Sequence, residues 1–289
     1  MKSGFVNIFG KPNAGKSTLL NALLGEKLAI VSPKVQTTRH RIKGFLTKAD
    51  EYQIIFSDTP GIIEAKYKLH EKMMGFVKSA LEDADVALLI VDVNDDLTDN
   101  NNIFQSLKLN VPAIVILNKI DVAENGKLAA AQAFFAAQPY VKKIIQVSAL
   151  LKHHIPKLIN AILEFLPEGH AFFSEDELTD LPLKFFVGEI IREKAFALFS
   201  EEIPYQLTVK VNEFKEKDTL TKIQADIIVN RESQKAIILG ERGQTIKELG
   251  TLARKDIEAF IENKVFLDLF VKVKPNWRNS DLYLKEYGY

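Results

Sequence analysis

Between the apolar run Phe5–Phe9 and the helix-like run Lys16–Leu24 the chain reads Gly10-Lys11-Pro12-Asn13-Ala14-Gly15-Lys16-Ser17. This stretch constrains the fold more than any other. Its glycines let backbone N–H groups wrap an anion, and the following helix points its positive end at the same spot. The pattern G-x-x-x-x-G-K-[ST] between a strand and a helix is a phosphate-binding loop. It predicts that Asn13, Ala14, Gly15, Lys16, Ser17 and Thr18 surround nucleotide phosphates, with Lys16 reaching the β- and γ-phosphates and the Ser17 hydroxyl on Mg²⁺.

Further strands are expected at Tyr52–Phe56, Val86–Asp92, Val111–Leu117 and Ile144–Val147, all rich in Val, Ile and Leu. Helical patterns such as Leu69–Leu81 and Leu128–Gln138 separate them. Continuous apolar strands joined by crossover helices predict a mostly parallel sheet covered on both faces, with the phosphate loop at the strands' carboxyl ends.

The phosphate loop alone does not choose the base. Asn118-Lys119-Ile120-Asp121 follows the strand Val111–Leu117. The Asp121 carboxylate has two acceptor oxygens suited to the guanine N1–H and exocyclic amine, which adenine does not present in that arrangement. Asn118 can hydrogen-bond in the same pocket, and the Lys119 stem can lie along the base. Ser148-Ala149-Leu150, after the next strand, is expected to bring a backbone N–H to guanine O6.

Asp58-Thr59-Pro60-Gly61 follows the strand Tyr52–Phe56. Asp58 is expected to hold Mg²⁺ through water, and Gly61 to present its N–H to the γ-phosphate. Thr37-Thr38-Arg39 lies between the first helix and the next strand, and Thr38 is favoured over Thr37 for completing the Mg²⁺ shell. Thr37, Thr38 and Asp58 to Gly61 then form switches, ordered by the γ-phosphate and released on hydrolysis. These elements in this order resemble the translation-factor-related GTPases. Many such enzymes position the attacking water with a glutamine just after Asp-x-x-Gly, but here Ile62 and Ile63 follow. Slow intrinsic hydrolysis is therefore expected, with water placed by backbone, a partner or a monovalent cation. Asn13 matches the asparagine with which relatives bind K⁺; a loop-stabilising hydrogen bond is the alternative role.

The second half has another pattern. Residues 167–181 are polar and acidic, with Pro167 and Gly169, and read as a linker. A helix is expected at Leu183–Leu198, strands at Gln206–Phe214 and Lys222–Val229, a short apolar strand at Lys235–Leu239, a helix at Thr245–Ile261 and a last strand at Val265–Val273. Gly240-Glu241-Arg242-Gly243 precedes the penultimate element and resembles the GxxG loop of a KH domain, which clamps about four nucleotides of single-stranded RNA. Gly240, Glu241, Arg242, Gly243 and Lys247 are the candidate RNA-binding residues. A small local excess of Lys and Arg over Asp and Glu accompanies them. The expected fold is an α/β P-loop GTPase domain (mostly parallel sheet, helices on both faces) over residues 1–168, a linker at 169–181, and an α+β KH domain with a C-terminal tail over 182–289.

Composition narrows the rest. The 289 residues carry no net charge, so attraction to nucleic acid must be local. Without cysteine there are no disulfides and no thiolate metal sites, and the five histidines do not fall at ligand spacing. Met1–Gly4 runs into the first strand without a signal-peptide core, and Leu128–Val141, interrupted by Pro139, is too short to span a membrane. A cytoplasmic protein is expected. Asp92–Asn102 (DVNDDLTDNNN) lacks the glycine and terminal glutamate of an EF-hand loop and reads as a solvated loop and helix cap. Trp277, the sole tryptophan, is a packing anchor before it is a base-stacking platform.

Gly10–Ser17, Gln36-Thr37-Thr38-Arg39-His40-Arg41, Asp58–Gly61, Asn118–Asp121, Gly240–Gly243 and Ala253-Arg254-Lys255-Asp256, with the Val271–Arg278 ending, are together similar to the Era family of bacterial GTPases. The resemblance implies GTP/GDP and Mg²⁺ as ligands, and binding near the 3′ end of small-subunit ribosomal RNA. It further implies an assembly checkpoint on the small ribosomal subunit, a monomer, and peripheral contact with the inner membrane. The alternative is an RNA-binding chaperone in which nucleotide is mainly structural. Glu241 departs from the family, whose members often carry a neutral or basic residue there.

Overall fold

The computed structural model describes residues 1–289. They form two compact units, residues 1–65 with 72–180, and residues 66–71 with 181–289.

The first unit is built on a six-stranded sheet. Its strands are β1 (Lys2–Phe9), β2 (Ile42–Lys48), β3 (Tyr52–Asp58), β4 (Val86–Asp92), β5 (Ala113–Asn118) and β6 (Val141–Gln146), in the order β2-β3-β1-β4-β5-β6. All neighbours are parallel except β2, which returns antiparallel on β3. The helices are α1 (Lys16–Leu24), α2 (Lys68–Glu82), α3 (Leu97–Ser106), α4 (Lys127–Ala136) and α5 (Ile155–Phe165). On one face Phe9, Leu89, Val91, Val115 and Leu117 pack with Val77 of α2, Phe104 of α3 and Phe135 of α4. The other face is bordered by α1 and α5, which touch each other. Central strands buried on both faces need unbroken apolar runs, which is why β4 and β5 were legible.

β2 was not expected. Its sequence, Ile-Lys-Gly-Phe-Leu-Thr-Lys, alternates poorly, because it is an edge strand with a second cover. That cover is the segment after α5. Residues 169–180 belong to the first unit, a correction to their reading as a linker. The Phe45 N–H donates to the Leu178 carbonyl and the Thr179 hydroxyl to the Lys43 carbonyl. Phe173 stacks on Phe45 at 3.8 Å between ring centroids. Fully buried Gln53 takes the Phe172 and Phe173 N–H groups on its Oε1 (2.7 and 3.0 Å) and donates to the Phe173 carbonyl (2.9 Å). A polar strap that stacks Phe173 on the strand and commits its own backbone shields an otherwise open sheet edge.

The second unit has a three-stranded sheet of β7 (Thr208–Lys215), β8 (Thr221–Val229) and β9 (Val265–Val273), antiparallel between the first pair and parallel between the second. Its helices are α6 (Leu183–Leu198), α7 (Ile203–Gln206), α8 (Glu232–Leu239), α9 (Gln244–Ile261) and α10 (Asp281–Glu286). Two apolar clusters join α6 and α9 to the strands, one around Ile191, Ile223 and Ile257, the other around Phe199, Ile227 and Leu249. The apolar run 235–239, expected as a strand, is the end of α8. Five apolar-rich residues carry no usable period, and Gln234 decides the matter by accepting the Asn230 and Arg231 N–H groups at the helix start. Trp277 is fully buried, its indole N–H donating to the Gln206 carbonyl at 3.0 Å, so it packs and does not stack on a base.

Candidate nucleotide and RNA sites

The carboxyl ends of β1, β3 and β5 and the N-terminus of α1 open onto one cleft of about 490 Å³. It is lined by Asn13, Gly15, Lys16, Ser17 and Thr18 of the phosphate loop, by Thr37 and Thr38, by Gly61, and by Asn118, Lys119, Asp121, Ala149 and Leu150. Segments far apart in the chain thus meet in the order the sequence motifs implied. Ala14 and Ser148 lie buried behind that lining.

Backbone geometry explains the glycines. Gly15 has φ +101°, and a Cβ there would stand 2.3 Å from the Asn118 amide nitrogen. That amide donates to the Ala14 carbonyl at 2.9 Å, while the Asn118 carbonyl oxygen accepts the Ala149 N–H at 3.0 Å. One buried asparagine therefore ties the phosphate loop to the 118–121 and 148–150 segments. The Ser148 hydroxyl accepts the Leu151 N–H and tightens the last of these turns. Gly61 presses on the phosphate loop: a Cβ would meet Pro12 backbone atoms at 2.9 Å. The Thr59 hydroxyl donates to the Ile8 carbonyl at 2.6 Å, and Pro60 is buried beside it.

The electrostatic centre is a lysine–carboxylate pair. Buried Lys16 donates from Nζ to the carbonyls of Gly10 (3.1 Å) and Lys11 (2.7 Å). Desolvation lowers its pKa to about 8, with Asp58 pulling the other way. Burial likewise raises the Asp58 carboxyl, against the opposing influence of Lys16, Ser17 and Thr38. Asp58 Oδ2 accepts from the Ser17 hydroxyl (2.6 Å) and the Thr38 hydroxyl (3.1 Å), and the two hydroxyls lie 2.8 Å apart. Its Oδ1 is buried with no hydrogen-bond partner. Three hard oxygen donors with one orphaned carboxylate oxygen fit Mg²⁺, which takes such ligands and keeps several waters. Thr38 meets this cluster, whereas the Thr37 hydroxyl donates away to the Lys34 carbonyl.

Three side chains hold the loop carrying Thr38, and of these only Asn21 lies outside the sequence motifs. Asn21 binds its start through the Leu28 N–H, the Ala29 N–H and the Ala29 carbonyl. Arg41 holds its end, bonded to both Asp83 oxygens (2.7 and 2.8 Å) and to the Ser57 hydroxyl. The Asn13 amide donates to the Pro33 carbonyl at 2.7 Å, midway along the loop. Ile62 turns away, packed against the apolar cluster of the sheet, so no side chain there orients water.

In the second unit Gly240–Gly243 joins α8 to α9. Gly240 (φ +70°) is crowded, since a Cβ would come 2.0 Å from the Thr245 hydroxyl oxygen; Gly243 (φ +79°) faces open space. Glu241, Arg242 and Lys247 are exposed along the loop and first turns of α9. Arg242 itself has φ +51°, a left-handed conformation that turns the loop outward. Backbone can approach this helix–loop–helix edge closely only because Gly243 has no side chain.

The sequence matches two family models, "50S ribosome-binding GTPase" over residues 5–119 and "KH domain" over residues 202–278. GTPase Era of Ruminiclostridium cellulolyticum is 44% identical, the alignment covering 100% of this chain and 97% of that protein. GTPase Era of Aquifex aeolicus is also 44% identical, with 100% and 99% covered. A crystal structure of Era in complex with MgGDPNP and nucleotides 1506-1542 of 16S ribosomal RNA superposes with a TM-score of 0.95 at 43% identity, covering 100% of this chain and 99% of that one. A variant of Aquifex aeolicus Era bound to GDP·AlF4⁻ gives the same score and identity. Two units with these two sites, matched along the whole chain at this identity, place it in one family: the chain belongs to the Era family of GTPases.

Proposed function

We propose that this protein is a Mg²⁺-dependent GTPase that binds the 3′ end of small-subunit ribosomal RNA through its KH unit and serves as a checkpoint in small-subunit assembly. The observation that carries the reading is the meeting of Ser17, Thr38 and Asp58 around an orphaned carboxylate oxygen, in a chain that also bears an exposed GxxG edge. With GTP bound, Ser17, Thr38 and Asp58 would hold Mg²⁺, which would offset the charge of the phosphates, and Thr38 would stay in the cleft. Hydrolysis removes the γ-phosphate that Gly61 senses, and both switches relax. Lys16 and the α1 N-terminus bind the phosphates; Asn118, Lys119, Asp121 and the 148–150 turn bind guanine.

With Ile62 turned into the core, the attacking water is placed by backbone, by RNA-induced ordering or by K⁺. Asn13 is the K⁺ candidate, its amide already committed to Pro33 and its oxygen directed by that bond. On this reading the protein is a cytoplasmic monomer that meets the inner membrane only peripherally. No helix is long and apolar enough to cross a membrane.

The test is binding of a short RNA copying the 3′ end of small-subunit ribosomal RNA, with GTP analogue and with GDP, alongside a Gly240→Asp/Gly243→Asp variant. Tighter binding with the analogue, lost in the variant, supports the checkpoint. Equal binding in both nucleotide states removes the switch and favours an RNA chaperone with structural nucleotide. No binding in either state removes this RNA.

A further inference from the structure

We propose that Asp92 and Asn94, on the turn after β4, are positioning residues for guanine recognition: Asp92 sets the Lys119 side chain along the base, and Asn94 sets the backbone that carries Asp121. The inference rests on the guanine reading of Asn118–Asp121 and extends it to a segment that the sequence presents only as a solvated polar loop.

Lys119 needs an external hold. It has φ +63°, a left-handed conformation that costs a non-glycine residue on the order of 1 kcal/mol and persists only where the surroundings impose it. Its long side chain is also rotamer-rich, so a stem left free would have to be ordered each time a base arrived. Asp92 supplies the hold. β4 and β5 are in parallel register with Asp92 opposite Asn118, and Asp92 Oδ2 accepts from Lys119 Nζ at 2.6 Å. The carboxylate cannot wander, since its Oδ1 accepts the Asn94 N–H at 3.0 Å, closing its own turn. The ammonium is thereby anchored at one end and the backbone at the other, and the four methylenes between them form a ready shelf.

Asn94 acts on the other side of the motif. Its amide donates to the Val122 carbonyl at 2.9 Å and its carbonyl oxygen accepts the Glu124 N–H at 3.0 Å. Asp121 is exposed and lines the cleft, just before the stretch that Asn94 brackets. A carboxylate reading two N–H groups of a planar base tolerates little lateral drift. The short helical turn 120–122 is also held by the Ile120 N–H to the Val147 carbonyl, by the Val122 N–H to the Lys119 carbonyl and by Ile120 packing on the sheet, none of which reaches the stretch after Val122. Two neighbouring side chains thus brace both halves of the base-reading segment from one turn.

The roles differ and can be told apart. Inosine nucleotides keep the ring and N1–H but lack the exocyclic amine. Losing the Lys119 shelf should weaken GDP and IDP alike. Drift of Asp121 should weaken GDP more than IDP. The experiment measures GDP and IDP affinity in the full chain for wild type, Asp92→Asn, Asn94→Ala, Lys119→Ala and Asp92→Asn/Lys119→Ala, with thermal unfolding of each. The expected result is a loss of roughly tenfold for both nucleotides in Asp92→Asn, the scale of one charge-assisted hydrogen bond. The double variant should be no weaker than Lys119→Ala. In Asn94→Ala the GDP-to-IDP preference should shrink severalfold. Additive losses in the double variant, or an unchanged preference in Asn94→Ala, would overturn the respective role. A wild-type protein that binds neither nucleotide would instead remove the guanine reading itself.

Discussion

At the residue scale, the proposed guanine reading rests most directly on Asp121, which lines the cleft. An ionised carboxylate offers only acceptors, matched to the two donors on the guanine edge. In Asp121→Asn one acceptor becomes a donor, which faces the guanine amine unfavourably but meets the xanthine carbonyl well. GTP affinity is expected to fall at least ~100-fold, the order of losing two hydrogen bonds to a charged group. Affinity for xanthosine triphosphate should rise. Displacement of a labelled nucleotide by GTP and XTP checks this, and an unchanged GTP/XTP ratio would contradict the assignment. The KH glycines make a second residue-scale pair. Gly240→Ala drives a Cβ to within 2.0 Å of the Thr245 hydroxyl oxygen, so both unfolding midpoint and RNA affinity should drop. Gly243→Ala meets no protein atom within 4 Å. It meets only left-handed strain of about 1 kcal/mol, so RNA affinity should fall while the midpoint drops by only about 4–8 °C, less than in Gly240→Ala. Asn118, Gly15 and Lys16 were legible in the sequence because contiguous spacing alone defines their motifs. Asp92, Asn94 and Gln53 were not, since their partners are tens of residues away or depend on strand register.

At the element scale, two features eluded the sequence for related physical reasons. β2 is half-apolar and its strap mostly polar, and they become a proper sheet edge only together; neither carries a period that survives alone. α8 is short, and its start is decided by Gln234 bonding back to the backbone. The central strands and α9 were readable because burial on one or both faces imposes a long pattern. The strap yields a prediction. Gln53→Ala removes four hydrogen bonds at a fully buried position, one to the Thr47 hydroxyl and three to the strap, and leaves two N–H groups and a carbonyl of residues 172–173 without that partner. A cost of about 2–4 kcal/mol is expected, with protease cleavage opening in residues 169–180 before the rest of the first unit. An unfolding midpoint equal to wild type, with the strap still protected, would mean that the Phe45–Phe173 stack holds the edge without Gln53.

At the scale of the whole molecule, the absence of net charge is the decisive fact. A neutral protein does not draw RNA from a distance, so affinity must come from the phosphates actually clamped and the bases actually read. A KH loop engages about four nucleotides, and each phosphate neutralised on a single strand contributes about 0.7 to the salt dependence. The logarithm of RNA affinity should therefore fall with the logarithm of salt at a slope near −3 (about four phosphates). Neutralising Arg242 or Lys247 should lower the slope by about one phosphate's share, whereas Glu241→Gln should strengthen binding without adding a phosphate. The nucleotide-linked part of the affinity obeys a different law. If GTP analogue tightens RNA binding by some factor, RNA must tighten the analogue by that same factor relative to GDP, because the coupling is a single free energy seen from two sites. Titrating both ways around the cycle, at two salt concentrations, separates the two contributions. The clamp's contribution scales with salt, whereas a coupling factor that arises at Thr38 and Gly61 inside the cleft, as proposed, should stay nearly constant. A coupling factor that collapses with salt would place its origin in surface charge, outside the switch.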